Sequence, residues 1–286
     1  MTTPPTVAVI AAGGMGAPTG ARLTHNGVRV LTDLAGRSTA TVARAEAAGM
    51  AAAGPAEIAG ADIILSIVPP GEAVALAERL APAIAAAARK PLYADCNAIS
   101  PETALLVAGV VERAGAAFVD AGIIGGPPRP EGYCPAYYAS GAGAPALAVL
   151  NDYGLDVRVL DGPPGAASAL KMCYAGLTKG LHALGVSVML GAMKAGVADE
   201  LMAQLAESQP EFVAYFTGRT PSIFSKAYRW VAEMEEIGAF LGGPAERIYN
   251  GAARVYERLA IDHEGERLEQ NAVMELLRGA KGAPSR

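Results

Sequence analysis

One lysine stands out in this sequence as a residue that could do chemistry. A turn rich in glycine and proline begins at Gly162 and leads into a long helical pattern that carries Lys171 near its start. At about 100° per residue, the apolar side chains share one stripe: Leu170, Cys173, Leu177, Leu181 and Leu184. The polar side chains share a second stripe: Lys171, Tyr174, Thr178 and His182. We expect the apolar stripe to pack and the polar stripe to present an amine for proton transfer, although a core helix whose second stripe only meets water has the same spacing.

Composition narrows the class of protein that can carry such a lysine. The chain has 286 residues, 52% of them hydrophobic, and a net charge of −5, which predicts a globular protein of two domains that binds small molecules and not nucleic acid. The first ten residues lack a basic region, and no stretch of about 20 apolar residues occurs, so we expect a cytoplasmic protein without a membrane partner. The three cysteines are widely spaced, which favours reduced thiols over disulfides or a zinc site. With only three histidines, the sequence indicates no metal cluster.

The N-terminal segment has the pattern of a dinucleotide-binding loop. A β-branched run over Thr6–Ile10 is followed by the sequence AAGGMG and by a helical pattern over Ala17–His25. In such a loop, Gly13 would let the backbone approach a pyrophosphate, and Gly16 would let the helix pack close to the strand. The first glycine of the usual fingerprint is replaced by alanine. The predicted cofactor-binding residues here are Ala11, Ala12, Gly13, Gly14, Met15 and Gly16.

The end of the second predicted strand, Val28–Leu34, should select the nucleotide, because it meets the adenosine ribose in this fold. Asp33 lies about 20 residues past the glycines, where an acid binds the 2′-hydroxyl of NAD. Arg37 and Ser38 offer a guanidinium and a hydroxyl, which suit the 2′-phosphate of NADP. The residues alone leave both cofactors open.

Further strands alternate with helical patterns. They span Ala61–Val68, Pro91–Ala94 and Ala117–Ala121, with short strands at residues 136–139 and 157–160. This alternation predicts a parallel sheet with ligands at the carboxyl ends of its strands. Residues expected at these ends to bind the cofactor are Val68, Pro69, Pro70 and Asn97.

Beyond the long helix the chain reads as helical to its end, with clear periodicity over Ala198–Ser208, Ile223–Phe240 and Ala245–Leu259. The sequence therefore predicts an α/β fold with a Rossmann-like N-terminal domain and a parallel sheet over residues 1–163. An all-α C-terminal domain over residues 164–286 would serve substrate binding and dimerisation. The helix that carries Lys171 joins the two.

Four blocks, in order, resemble the β-hydroxyacid dehydrogenase family, which includes 3-hydroxyisobutyrate dehydrogenase and relatives of 6-phosphogluconate dehydrogenase. The glycine loop is similar to the family motif Gly-x-Gly-x-Met-Gly, and DCNAISP at Asp95–Pro101 resembles Asp-x-Ser-Thr followed by proline. DAGIIGG at Asp120–Gly126 resembles Asp-Ala-Pro-Val-Ser-Gly-Gly, and Gly162–Lys171 resembles the catalytic block that ends in lysine. The segment RWVAEMEEIGAF is similar to an uncharacterised subgroup with a divergent helical domain.

The resemblance implies an NAD(P)-dependent oxidoreductase that exchanges a hydride with a small hydroxy acid or alcohol, or its carbonyl counterpart, with Lys171 as general acid and base. It implies NADP(H) over NAD(H), because the residue aligned with the family's acid is Leu34, and it implies a homodimer. The implied substrate-binding residues are Asn97, Gly125, Gly126, Tyr174 and Thr178.

Three departures from the family pattern leave the substrate open. Ala175 replaces an asparagine, Asn97 replaces a serine, and Ile124 replaces the next serine. Two further readings therefore stay open: reduction of an imine, and a nucleotide-binding protein without turnover.

Overall fold

The computed structural model describes residues 3–281, and the chain divides into two compact units, Met1–Met172 and Cys173–Arg286. The domain boundary predicted at residues 163 and 164 lies before the long helix, whereas the units divide within that helix. None of the described helices is long and apolar enough to cross a membrane.

The first unit is built on one sheet of eight strands. They are β1 (Thr6–Ile10), β2 (Arg29–Thr32), β3 (Ala51–Ala52), β4 (Ile63–Ser66), β5 (Leu92–Asp95), β6 (Ala117–Ile124), β7 (Ala136–Ser140) and β8 (Asp156–Val159). The spatial order is β3-β2-β1-β4-β5-β6-β7-β8, and every neighbouring pair is parallel except β6 and β7. The predicted Rossmann-like α/β fold is confirmed, with the β6–β7 pair as its antiparallel exception.

Helices cover both faces of this sheet. They are α1 (Gly16–His25), α2 (Thr39–Ala47), α3 (Pro55–Ala59), α4 (Ala73–Ala86), α5 (Pro101–Arg113) and α6 (Ala144–Leu147), and the first turns of α7 (Ala166–Ala195) also belong to this unit. Val7 and Val9 of β1 pack in one buried cluster, and Ala8 and Ile10 pack in the other. Burial on both faces explains why these strands read as continuous apolar runs.

The sheet order reverses beside β1, which lies between β2 and β4. The glycine loop follows β1, and the segment Ile67–Pro70 follows β4, so both lie at this switch point. In open parallel sheets, the crevice outside the carboxyl ends at the switch point is where ligands bind. The elements that could hold a dinucleotide therefore lie together at the carboxyl ends of the parallel strands.

The strand predicted over Ala117–Ala121 continues to Ile124, so its predicted end was wrong. Ile123 and Ile124 continue β6 and pair with Tyr137 and Ala136 of β7, as suits β-branched residues on a half-buried surface. Strand β3 was not predicted, because it is only two alanines long and carries no periodic signal.

The second unit is all-α, as predicted. It contains the rest of α7 and the helices α8 (Ala198–Ser208), α9 (Pro210–Arg219), α10 (Ala227–Leu241), α11 (Gly243–Glu264) and α12 (Leu268–Lys281). Helix α10 starts later than expected, since two short 3₁₀ turns (Thr220–Ser222 and Phe224–Lys226) precede it.

The predicted packing stripe of α7 was wrong. Leu177 is 70% exposed, and Leu184 is 62% exposed. The face that packs includes glycines that other helices approach closely: a Cβ added to Gly185 would lie 2.4 Å from the Phe216 ring, and one added to Gly176 would lie 3.0 Å from the Tyr249 hydroxyl. Aromatic side chains of other helices therefore pack on glycines of α7, and Leu177 and Leu184 remain exposed.

Candidate active site

The helix that carries Lys171 is capped by a buried carboxylate from another element. Asp120, in the middle of β6, is fully buried. One carboxylate oxygen accepts the backbone N–H groups of Gly165 (2.9 Å) and Ser168 (3.0 Å), and the other accepts the Ser168 hydroxyl at 2.6 Å. The Ser140 hydroxyl donates to Asp120 at 3.1 Å and accepts the Ala167 N–H at 3.0 Å. Asp120 thus satisfies N–H groups at the start of α7 that the helix itself leaves unpaired.

A glycine of β6 lets the first turns of α7 approach the sheet. A Cβ added to Gly122 would lie 2.9 Å from the carbonyl oxygen of Ala167 and 3.2 Å from the Cβ of Lys171. Any larger residue would push the helix away. Lys171 is half-buried at this contact, so its position beside β6 is set by the cap at Asp120 and by the missing side chain at Gly122.

The carboxyl end of β5, next to β6, places a second acid within the electrostatic reach of Lys171. Burial raises the pKa of Asp95 to about 6, against hydrogen bonds from Asn97 and the positive charge of Lys171, which lower it. Burial also raises the pKa of the Cys96 thiol, and the Lys171 charge opposes this shift too. Lys171, Asp95 and Asp120 therefore interact electrostatically beside the carboxyl end of β5 and the middle of β6.

Asn97 was predicted to bind both substrate and cofactor, and the structure places its side chain inside a buried hydrogen-bond network. Its Oδ1 accepts the Val68 N–H at 2.6 Å, and its Nδ2 donates to the Ser66 hydroxyl and to Asp95 Oδ2, each at 2.8 Å. Asp95 Oδ1 also accepts the Asn97 backbone N–H at 3.0 Å. Both amide hydrogens of Asn97 are thus used within the protein, and they tie the segment after β4 to the end of β5.

The glycine loop has the shape that a pyrophosphate needs. A Cβ added to Gly16 would lie 1.9 Å from the carbonyl oxygen of Ala11, so only glycine lets α1 start this close to β1. No described atom would lie within 4 Å of a Cβ added to Gly13 or Gly14. The space beside these two glycines is open, and the N-terminus of α1 follows directly. These residues fit a dinucleotide phosphate.

The candidate nucleotide-selecting residues have different surroundings. Asp33 accepts the Ala35 N–H at 3.0 Å and pairs with Arg79 at 3.4 Å. Ser38 caps α2, because its hydroxyl accepts the Thr41 N–H at 3.3 Å. The Arg37 side chain is exposed and makes no hydrogen bond to the described residues. Asp33 therefore already has two partners, whereas Arg37 is available to a ligand.

The glycine pair after β6 is closed by a tyrosine. Gly126 donates its N–H to the Tyr133 hydroxyl at 3.1 Å. Gly125 has a φ of 138°, and a Cβ there would lie 2.5 Å from the same hydroxyl. Both glycines were predicted to bind substrate. In the structure the loop folds back on itself, so the Gly126 N–H is already bonded to the Tyr133 hydroxyl.

The remaining predicted site residues lie in the second unit. Tyr174 is 48% exposed, and the Thr178 hydroxyl donates to the Tyr174 carbonyl at 2.8 Å. His182, placed on the polar stripe by its spacing, is buried against Tyr215 and Phe216. His182 therefore belongs to the core of this unit, and this burial lowers the pKa of its imidazole.

Sequence reasoning did not assign a role to Asp120 itself, to Asp95 or to Tyr133. One signal was present: Asp120 interrupts the apolar run FVDAGII, and an acid inside a buried strand requires polar partners. The types and spacing of the other residues gave no such signal.

Comparisons with known proteins match both halves of the chain. The family model described as the NAD binding domain of 6-phosphogluconate dehydrogenase matches residues 6–132, and a domain of unknown function (DUF1932) matches residues 192–259. The uncharacterized 28.5 kDa protein of the 7S RNA 5′ region of Methanothermus fervidus is 30% identical over 185 residues, which are 64% of this chain and 69% of that protein.

Two solved structures cover nearly the whole chain. A conserved protein of unknown function, described as structurally similar to 3-hydroxyacid dehydrogenases, is 30% identical with a TM-score of 0.72, over 92% of this chain and 98% of that one. The 3-hydroxyisobutyrate dehydrogenase of Mycobacterium tuberculosis, solved with L-serine, is 24% identical with a TM-score of 0.70, over 96% of this chain and 100% of that one. The second likeness concerns the fold alone.

Proposed function

Because this chain belongs to the β-hydroxyacid dehydrogenase-like family, we propose that it is an NADP-preferring oxidoreductase whose general acid and base is Lys171. Its substrate is a small hydroxy acid or alcohol, or the corresponding carbonyl compound. The observation that carries the proposal is the placement of Lys171 at the carboxyl edge of the sheet, beside Gly122 and within the electrostatic reach of Asp95. That edge also holds the glycine loop.

The cofactor, when bound, supplies or accepts the hydride. The glycine loop and the start of α1 hold its phosphates through backbone N–H groups. Lys171 donates a proton to the substrate oxygen as a carbonyl becomes an alcohol, and it removes that proton in the opposite direction. Asp120 keeps α7, and with it the amine, in place, and the nearby Asp95 carboxylate stabilises the protonated amine when it is ionised.

The preference for NADP(H) rests on charge at the carboxyl end of β2. The Asp33 carboxylate already pairs with Arg79 and accepts a hydrogen bond from the Ala35 N–H. It is therefore less able to accept a hydrogen bond from the 2′-hydroxyl of NAD. The exposed Arg37 guanidinium suits a 2′-phosphate. A nicotinamide cofactor follows from the family, and the choice between the two forms is our proposal.

The test is a binding and turnover screen. Purified protein is titrated with NADPH and NADH and then assayed against aldehydes, keto acids and imines. We expect tighter binding of NADPH and turnover of a carbonyl compound. Turnover of imines alone would favour C=N reduction, and cofactor binding without any turnover would indicate a nucleotide-binding protein that is not an enzyme.

We also propose a homodimer formed through the helical unit. An open apolar groove on that unit lies between α7 and α11, and it has small residues at its floor and exposed leucines at its rim. The groove is lined by Gly176, Leu177, Gly180, Leu181, Ala183, Leu184, Ser187, Ile248, Tyr249, Gly251, Ala252 and Val255. Exposed apolar patches of this kind mark contact surfaces, and a second copy of the same surface would cover it.

A further inference from the structure

An arginine of α2 reaches back to the glycine loop. The Nε of Arg44 donates to the carbonyl oxygen of Ala12 at 3.3 Å, and one Nη2 hydrogen is donated to the Thr41 hydroxyl at 2.9 Å. The Thr41 hydroxyl lies 3.1 Å from that of Ser38, which starts the helix. The Arg44 guanidinium thus bridges the glycine loop and the first turn of α2.

These two segments are the ones between which the adenosine ribose of a dinucleotide lies in this fold. A guanidinium has five N–H donors, and the two hydrogen bonds use two of them. Within the part of the chain that the structure describes, the other three have no protein acceptor, and the residue is exposed. Arg44 is therefore fixed in position and still able to bind an anion.

The charges around Arg44 favour an anion over a neutral hydroxyl. Arg37 lies just before α2, and the first turn of α2 has no acidic residue. Asp33, an acid that follows β2, is paired with Arg79. The start of α2 adds the partial positive charge of a helix N-terminus.

We propose that Arg44 is a second ligand of the 2′-phosphate of NADP(H), beside Arg37, and so a residue that determines cofactor specificity. This rests on the cofactor site of the proposed function but requires no turnover. Two guanidinium groups from different turns would hold the phosphate from two sides, and the bond to Ala12 would couple that contact to the pyrophosphate loop.

The test measures equilibrium binding of NADPH and NADH by nucleotide fluorescence, with the intact protein and the variants Arg44→Ala, Arg44→Lys and Arg37→Ala. Arg29→Ala is the matched control, because it removes an exposed arginine from the N-terminal end of β2, the opposite end of that strand from the cofactor site. Since a hydrogen bond to a charged group contributes about 1.5–3 kcal/mol, Arg44→Ala should weaken NADPH binding about 10- to 100-fold and NADH binding less than about 3-fold. Arg44→Lys should weaken NADPH binding less than Arg44→Ala does, and Arg29→Ala should change neither affinity.

Each other result overturns the inference. An equal loss of both affinities would make Arg44 a structural latch of the glycine loop, and unchanged affinities would remove it from the site. If the wild-type protein prefers NADPH in either of these cases, only this inference fails. A wild-type protein that prefers NADH or binds neither nucleotide overturns the proposed cofactor preference as well.

Discussion

The Ser168 hydroxyl donates to the buried Asp120 carboxylate at 2.6 Å, although 48 residues separate them in sequence. Through this bond and two backbone N–H groups, a residue of the sheet becomes the cap of the helix that carries Lys171. The proposed catalytic amine is thereby held by the fold itself and does not depend on a flexible loop.

Asp120→Asn should therefore destabilise the protein. The substitution removes the negative charge at the start of α7 and turns an NH₂ group toward N–H donors. We expect a loss of about 3 kcal/mol in the free energy of unfolding, measured by urea denaturation. Ser168→Ala, which removes one hydroxyl, should lose about 1 kcal/mol. Equal stabilities of wild type and Asp120→Asn would show that the cap contributes nothing.

Asp95 predicts a pH dependence of stability. Its pKa is about 6 in the folded protein and about 3.8 when exposed, so the folded state binds more protons between these values. The contribution of Asp95 to the free energy of unfolding must then fall as the pH rises from about 4 to about 6, by up to about 3 kcal/mol. Asp95→Asn removes the titration. The stability of wild type minus that of the variant should decrease over this range, and a constant or rising difference would contradict the assignment.

Asn97 should act on cofactor binding through the segment after β4. Asn97→Ala leaves the Val68 N–H without its acceptor, and an unsatisfied buried donor costs about 1–3 kcal/mol. We expect the affinity for NADPH to fall about 10-fold as the segment rearranges, while Asn97→Ser partly restores it. Asn271→Ala, on the exposed face of α12, serves as the control. If Asn97 contacts substrate instead, the substrate KM will rise while the NADPH affinity stays constant.

The proposed homodimer predicts that negative charges introduced in the groove of the helical unit will separate the subunits. Leu177→Asp combined with Leu184→Asp should convert a dimer to a folded monomer, as measured by light scattering at micromolar concentration. Leu105→Asp is the control, because this leucine is 55% exposed on α5 of the first unit. A monomeric wild-type protein, or a double variant that remains dimeric, would contradict the proposal.

The sheet could be predicted from sequence because buried parallel strands produce apolar runs, and because Gly16 has no alternative beside Ala11. The packing of α7 could not, since glycines take part in its close contacts with other helices, and Leu177 and Leu184, two leucines of the predicted stripe, are exposed. The contacts of Asp120 and Arg44 join residues 48 and 32 positions apart. Such pairs leave no periodic trace in a sequence, so the site's supporting network became visible only in the fold.

The central claim is that the Lys171 amine transfers the proton, and Lys171→Met tests it most directly. Methionine retains an apolar stem of similar length and removes only the amine. Turnover and melting temperature are measured on the same samples, with Lys194→Met, an exposed lysine at the end of α7, as the control. We predict that Lys171→Met lowers kcat by about 10²- to 10⁴-fold, with NADPH affinity and melting nearly unchanged. Turnover within a few-fold of wild type, or a loss of turnover that only follows unfolding, would contradict the account.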